Sequence, residues 1–359
     1  MKTLRLKLRD GQEWLDEAAR EVNMVWNFAN ETTAKAARPF YGKPRYLSGF
    51  DVEKLLTGVH SELKYLQANT VIRIAHEHAD RRLQFRRSKL RWRSSGGSKR
   101  SLGWIPFRHP QVKFVKGAIR FCGKRFRVFD SYGLDKYELR SGAFSQNALG
   151  EWFVNIAVKT ATKAPDMPRR AVGVDLGLKA SATTSDGQIL AAGDFYRGIE
   201  RKIAEAQRRG HKRHAKRLHQ RAANRRNDAL HKFSTAMVNN YGAIYVGDVS
   251  SLKLAKTKMA KAVLDSGWGM LKTMLHYKGH QAGSLVEVVN ERFTTVTCSN
   301  CGQHTGPRGL RQLHVRGWFC SACETDHDRD INAARNILAR GLTGPSAGTN
   351  FKEQKHHVH

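Results

Sequence analysis

Four cysteines and a few carboxylates in the C-terminal half are the residues of this sequence best suited to chemistry. Cys298-Ser-Asn-Cys301 and Cys320-Ser-Ala-Cys323 are two C-x2-C pairs separated by eighteen residues. Thiolates at this spacing close a tetrahedral site for structural Zn2+, and with four sulfurs the coordination is complete. His304, His314 and His327 lie close by. The same saturation assigns them to the surface or to nucleic-acid contacts, and Arg308, Arg311 and Arg316 within the ribbon suit phosphates. Directly after the second pair comes Asp328-Arg-Asp330-Ile-Asn-Ala-Ala-Arg-Asn336, which puts carboxylates at the start of a short helix. Two further acids end apolar runs: Asp175 in Val172-Gly-Val-Asp175-Leu-Gly, and Glu291 after Leu285-Val-Glu-Val-Val289-Asn290. Carboxylates at the ends of buried strands are hard oxygen ligands suited to Mg2+ or Mn2+. Alone, an aspartate before glycine is an ordinary turn residue.

These groups need a scaffold, and the hydrophobic periodicity supplies one. Residues 1–8 alternate as a strand, and Trp14, Leu15, Ala18, Val22, Val25, Trp26 and Ala29 repeat at helical spacing from Gln12 to about Lys35. Pro39, Gly42, Pro44 and Gly49 mark a loop, and a second helical region is expected from Asp51 to about Leu90, capped by Ser48 or Asp51. It ends in Arg81, Arg82, Arg86, Arg87, Lys89, Arg91 and Arg93 interleaved with Phe85 and Trp92, a mixture suited to phosphates and stacked bases. Residues 94–99 read as a Ser/Gly linker. Residues 112–128 and 152–160 alternate as strands, and with residues 1–8 they are expected to close a small antiparallel barrel split by the helical insertion.

After the Pro165–Pro168 linker, short apolar strands at 170–175, 243–246 and 285–289 alternate with helices, which indicates an α/β core. The helix expected from Ile199 to Phe233 is densely basic, is divisible at Gly210, and suits a nucleic-acid backbone. Residues 254–262 are Lys-rich, and residues 341–359 read as a disordered tail whose histidines lack ligand spacing.

Composition agrees with a polyanionic partner. The 359 residues carry 63 Lys plus Arg against 31 Asp plus Glu, a formal charge of +32, while 40% hydrophobic content argues for a folded protein. No apolar run approaches the ~20 residues of a membrane-spanning helix, and the polar N-terminus is not a secretory leader. The fifth cysteine, Cys122, reads as a small apolar filler.

Val172-Gly-Val-Asp175-Leu-Gly-Leu, the paired knuckles and Asp328-Arg-Asp330-Ile-Asn-Ala-Ala, in this order, resemble the TnpB family. Its members are the transposon-associated OrfB proteins ancestral to type V CRISPR effectors. The resemblance spans essentially the whole chain and implies an RNA-guided DNA endonuclease acting beside a short adjacent motif. It implies an α/β multidomain fold: a wedge β-barrel (1–10 and 100–164) and a helical recognition domain (11–99), then an RNase H-like RuvC domain (169–292 and 326–340) with a zinc-ribbon insertion (293–325). The implied partners are a guide RNA from the transposon end and double-stranded target DNA, with no membrane. A monomer or weak dimer in the bacterial cytoplasm, at the nucleoid, is expected.

Carried onto this sequence, the family's first acid is Asp175 and its third is Asp330. The second is normally a glutamate ending the middle strand, but here that strand reads Tyr245-Val246-Gly247-Asp248, with Gly247 in its place. Asp248 is adjacent, yet a one-residue shift turns it to the opposite face. Glu291, ending a neighbouring parallel strand, is the preferred replacement, so Asp175, Glu291 and Asp330 form the expected Mg2+ or Mn2+ site. A nuclease-inactive, guided DNA-binding protein is the alternative. A zinc-ribbon protein acting in transposition without a guide is a third reading.

Overall fold

Alternating leucines set the first strand. In β1 (Lys2–Lys7), Leu4 and Leu6 are buried while their neighbours face outward. The chain is described here from a computed structural model covering residues 1–36, 46–160, 170–249, 254, 259–309, 312 and 314–343. It divides into two units, Met1–Thr160 and Ala161–His359.

In the first unit β1 is followed by α1 (Gln12–Ala36), α2 (Gly49–Leu55) and α3 (Ala68–Phe85), and then by six strands: β2 (Trp104–Phe107), β3 (Lys113–Val115), β4 (Ala118–Phe121), β5 (Lys124–Arg127), β6 (Glu138–Gln146) and β7 (Trp152–Lys159). One antiparallel sheet has the order β1-β7-β6-β2 and another β3-β4-β5. Leu4 pairs with Ile156 and Leu6 with Val154, and every second residue of β7 from Trp152 to Val158 is buried. A slip of one residue would turn this whole apolar set outward, so the register is strongly specified. The strands expected at 1–8, 112–128 and 152–160 are present. β2 and β6 had gone unseen because β2 contains Pro106, tolerated on an edge strand, and β6 carries a register shift between Leu139 and Gly142.

The second helical region is shorter and more broken than expected. Gly58 adopts a φ of +86° and ends α2's run, and a 3-10 turn at Val59–Glu62 precedes α3. Ser48 caps α2, with Asp51 completing a reciprocal capping box. Residues 90–95 are anchored to α1 by three asparagines. Asn30 exchanges two hydrogen bonds with Leu90, each 2.8 Å. Asn27 exchanges two with Arg93, at 2.8 and 2.9 Å. Asn23 Nδ2 donates to Ser95 Oγ at 3.0 Å, so the linker read at 94–99 is anchored at its start. The basic tract is correspondingly split. Arg82 is buried with a nitrogen donating to Ser88 O, and Arg93 donates to Asn23 Oδ1 and Leu102 O. Arg86, Arg87, Lys89, Arg91, Phe85 and Trp92 remain exposed.

The second unit runs β8 (Ala171–Asp175), β9 (Ala180–Thr184), β10 (Ile189–Ala191), α4 (Glu200–Arg208), α5 (Lys212–Asn240), β11 (Ala243–Gly247), α6 (Ala260–Ser266), α7 (Trp268–Ala282), β12 (Leu285–Val289), β13 (Gly317–Phe319), β14 (Asp326–Asp328) and α8 (Arg329–Thr343). Its main sheet has the order β10-β9-β8-β11-β12, with β8, β11 and β12 parallel and β9 antiparallel to its neighbours. Val172, Val174, Ile244 and Val246 pack on one face with Leu230 and Met237 of α5 and Leu271 and Leu275 of α7. The basic helix does divide at Gly210, whose φ is +71°, and its second part runs past Phe233 to Asn240. Helix α8 continues through Thr343, three residues beyond its expected end. The loop at 39–44, the 165–168 linker, residues 255–258 of the Lys-rich stretch, Arg311 and the tail from residue 344 lie outside the described residues. Among the described residues no helix is long and apolar enough to cross a membrane.

Candidate functional site

Because β8, β11 and β12 are parallel, their C-terminal ends share one edge of the sheet, where open α/β sheets place ligands. Asp175 is the last residue of β8, Gly247 the last of β11, and Glu291 lies two residues beyond β12. Helix α8 covers the sheet face opposite Val172 and Val174. It lies close because Gly173 has no side chain: a Cβ there would collide with the Ala334 carbonyl and sit 2.7 Å from Leu338 N. Strand alternation puts Asp175 on this same face, toward Asp330 in the first turn of α8. Asp328 Oδ1 accepts the backbone N–H groups of Asp330 and Ile331, both at 2.9 Å, and so caps the helix.

Asp175 feels the other two acids. Burial is the largest influence on Asp175, and the negative charges of Glu291 and Asp330 add to it, pushing its pKa up to about 7; Arg329 and Arg316 oppose the rise. Burial also raises Glu291, reinforced by Asp248 and opposed by Lys272 of α7. The Lys272 ammonium is itself lowered by burial, although Glu291 and Asp248 pull it upward. Arg316 Nη1 donates to both oxygens of Asp330, at 2.9 and 3.2 Å. Arg316, read from the sequence as a phosphate contact, therefore faces a carboxylate within the chain. Arg308 donates to His304 O.

The position of Glu291 bears directly on the missing glutamate. A Cβ built at Gly247 would run into Glu291 Oε2. The Glu291 carboxylate thus occupies the space that a side chain on the end of β11 would fill. Asp248 does not enter that space; its Oδ1 accepts the Glu291 backbone N–H at 3.1 Å.

The cysteines converge more tightly. Among the described residues, Cys298, Cys301, Cys320 and Cys323 are the group whose ligand atoms all lie within 4.8 Å of one another. Cys298 and Cys323 sulfurs are 3.6 Å apart, and those of Cys301 and Cys320 are 3.7 Å apart. Tetrahedral zinc with bonds of about 2.3 Å requires sulfurs about 3.8 Å apart, so the donor set fits such an ion. The Thr305 hydroxyl donates to Cys320 Sγ at 3.1 Å and is the leading cause that lowers this thiol to about 6, favouring the ligating thiolate. His327 differs from expectation: it is buried, with Nε2 3.0 Å from Cys298 Sγ and its ring stacked on Trp318 at 4.5 Å. His304 and His314 are exposed. The roles of Arg316, Lys272 and His327 were missed because each depends on contacts made across the fold.

Residues 154–258 match the OrfB family model described as "Probable transposase", and residues 268–337 match the model described as "Cas12f1-like, TNB domain". A provisionally named RNA-guided DNA endonuclease of Streptomyces pristinaespiralis is 29% identical over 93% of this chain and 87% of its own length. TnpB-like protein L79 of Acanthamoeba polyphaga mimivirus is 33% identical over 35% of this chain and 25% of its own. A Cas12f1 chain solved with single guide RNA and target DNA aligns over 95% of this chain and 99% of that one, at 17% identity and a TM-score of 0.39. Fold and site define an α/β protein whose sheet gathers acids at one edge and whose last strand leads into a cysteine ribbon. Over these stretches the chain is similar to the OrfB and TnpB-like proteins.

Proposed function

We propose that this protein is a transposon-encoded RNA-guided DNA endonuclease that cuts guide-matched DNA next to a short adjacent motif, using Asp175, Glu291 and Asp330. The observation that carries this reading is the Glu291 carboxylate standing in the space left by Gly247. Support also comes from the influence of Glu291 and Asp330 on Asp175 and from the relatives named as RNA-guided DNA endonucleases.

Gathering buried like charges at the sheet edge favours a bound divalent cation, since the cation relieves the repulsion from Glu291 and Asp330 that adds to burial in holding the Asp175 carboxyl up. Two Mg2+ or Mn2+ ions held there would supply an activated water and a neutralised leaving oxygen on the scissile phosphate. Asp175 is presented by a rigid strand, Asp330 by a capped helix, and Glu291 by the turn after β12. Arg316 offsets the charge of Asp330, and Lys272 offsets that of Glu291. Structural Zn2+ at Cys298, Cys301, Cys320 and Cys323 would hold the ribbon.

The sheet order β10-β9-β8-β11-β12 supports an RNase H-like RuvC domain over 169–292 and 326–340, with the ribbon of 293–325 inserted. The two antiparallel sheets, joined by a bridge between Leu8 and Val128, support a wedge β-barrel of 1–10 and 100–164 around a helical recognition domain of 11–99. Exposed Arg86, Arg87, Lys89 and Arg91 beside Phe85 and Trp92 suit the guide RNA or its duplex with DNA. The net charge of +32 supports nucleic-acid partners at the nucleoid.

Cleavage of a guide-matched plasmid in Mg2+ tests the reading. Glu291→Ala should abolish cutting, while Asp248→Ala should leave much of it. The reverse pattern would move the middle acid to Asp248. Guided binding by the wild type without any cutting would favour the inactive alternative, and absence of a discrete co-purifying RNA would remove the guide.

A further inference from the structure

Asparagine is a poor helix-interior residue because its amide competes for local backbone groups. Helix α8 nevertheless carries two, Asn332 and Asn336, spaced one turn apart and directed away from the helix. Asn332 is only 1% exposed. Its Oδ1 accepts the N–H of Ser299, between the first two cysteines, at 2.8 Å. Its Nδ2 donates to Thr294 O at 3.1 Å and Thr297 O at 2.8 Å. Asn336 Nδ2 donates to the same two carbonyls, at 2.8 and 2.7 Å. The turn that supplies these carbonyls is tied back to the sheet edge, since Thr294 Oγ1 donates to Glu291 O at 2.8 Å. On the far side of the ribbon, Arg329 N donates to Arg316 O at 2.7 Å.

We infer that Asn332 and Asn336 are positioning residues: they fasten the first cysteine knuckle to the helix carrying Asp330, so that the metal state of the knuckles sets the separation of Glu291 and Asp330. Five hydrogen bonds run between two asparagine side chains and a segment that begins three residues after Glu291 and continues to Ser299. That segment cannot move without moving Asp330 or breaking the bonds. A metal that rigidifies Cys298 and Cys301 therefore rigidifies the acids, although none of the acids touches it. The inference rests on the reading of Asp330 and Glu291 as the metal-binding acids.

The test uses the full-length, zinc-loaded protein and two readouts. One is amide hydrogen exchange over residues 330–337 before and after zinc is stripped by a chelator; the other is the Mn2+ binding midpoint followed by electron paramagnetic resonance. Stripping zinc from the wild type should speed exchange about tenfold or more, as loss of several hydrogen bonds predicts. Asn332→Ala combined with Asn336→Ala, still holding one zinc per chain, should already exchange at the stripped rate and bind Mn2+ about tenfold more weakly. If that variant does not retain zinc, Asn332→Asp decides by the same readings. It keeps the acceptor for Ser299 and loses both donors, so its expected shifts are smaller but in the same direction. Unchanged exchange on stripping the wild type, or a zinc-loaded double variant indistinguishable from it, overturns the inference. Failure of the wild type to bind Mn2+ would instead remove the acid-site reading, and the exchange data would still decide on the clamp.

Discussion

Replacing Asp175 with asparagine should stabilise the protein while abolishing the metal-dependent cutting proposed for it. Burial, with Glu291 and Asp330, raises the Asp175 carboxyl from 3.8 to about 7. At about 1.4 kcal/mol per pKa unit, a rise of roughly three units is worth about 4 kcal/mol. The folded state binds this proton more tightly than the unfolded chain does. The resulting stabilisation is therefore fully present below about pH 4 and is lost as pH rises through about 7. Asparagine does not titrate, so the variant should differ little from wild type near pH 4 and exceed it by up to about 4 kcal/mol at pH 8. For a unit of roughly 200 residues this is about 10 °C in Tm. Calorimetric melting between pH 4.5 and 8, with zinc retained and Mg2+ absent, measures the difference. Adding Mg2+ at pH 8 should raise the wild-type Tm and leave Asp175→Asn nearly unchanged. A variant with the same pH slope as wild type, or one destabilised at every pH, would refute the reasoning.

Gly247→Glu alone drives a Cβ into the Glu291 carboxylate and to 3.2 Å from Ile337 Cδ1; overpacking of this kind should cost about 1–3 kcal/mol by thermal melting. Pairing it with Glu291→Gly should recover stability and return plasmid cutting toward wild type. Asn30→Ala strips the buried N–H and C=O of Leu90 of their partners. It should lower stability by about 2–4 kcal/mol in urea unfolding.

Much of this molecule was readable from sequence because local pattern and tertiary role coincide. The apolar alternation of 1–8 and 152–160, the 3.6-residue repeat of α1 and the Cys spacing each give the same answer in the chain and in the fold. Elements went unseen where a local signal opposed the role. Pro106 argues against a strand until β2 proves to be an edge, and Gly142 interrupts β6 at a register shift. The apolar repeat from Asp51 to Leu90 hid the break at Gly58, and residues 90–95 are held by asparagines 60 to 72 residues earlier. At the candidate site, strand ends located the acids, whereas the pairing of Arg316 with Asp330 and of His327 with Cys298 depends on how β13 meets β14.

The empty position on β11 has a consequence for how such chains are compared. A side chain at 247 and the carboxylate of Glu291 claim one volume, so in this backbone the two are mutually exclusive. Replacing one with the other is an exchange between adjacent strands that leaves the number of acids at the edge unchanged. A sequence profile that requires glutamate at the end of the middle strand would score this chain as a dead enzyme. One that asks how many carboxylates the shared edge can hold would not. Steric exclusion of this kind also makes a signature: where residue 247 lacks a Cβ, an acid just past the neighbouring strand is the position to inspect.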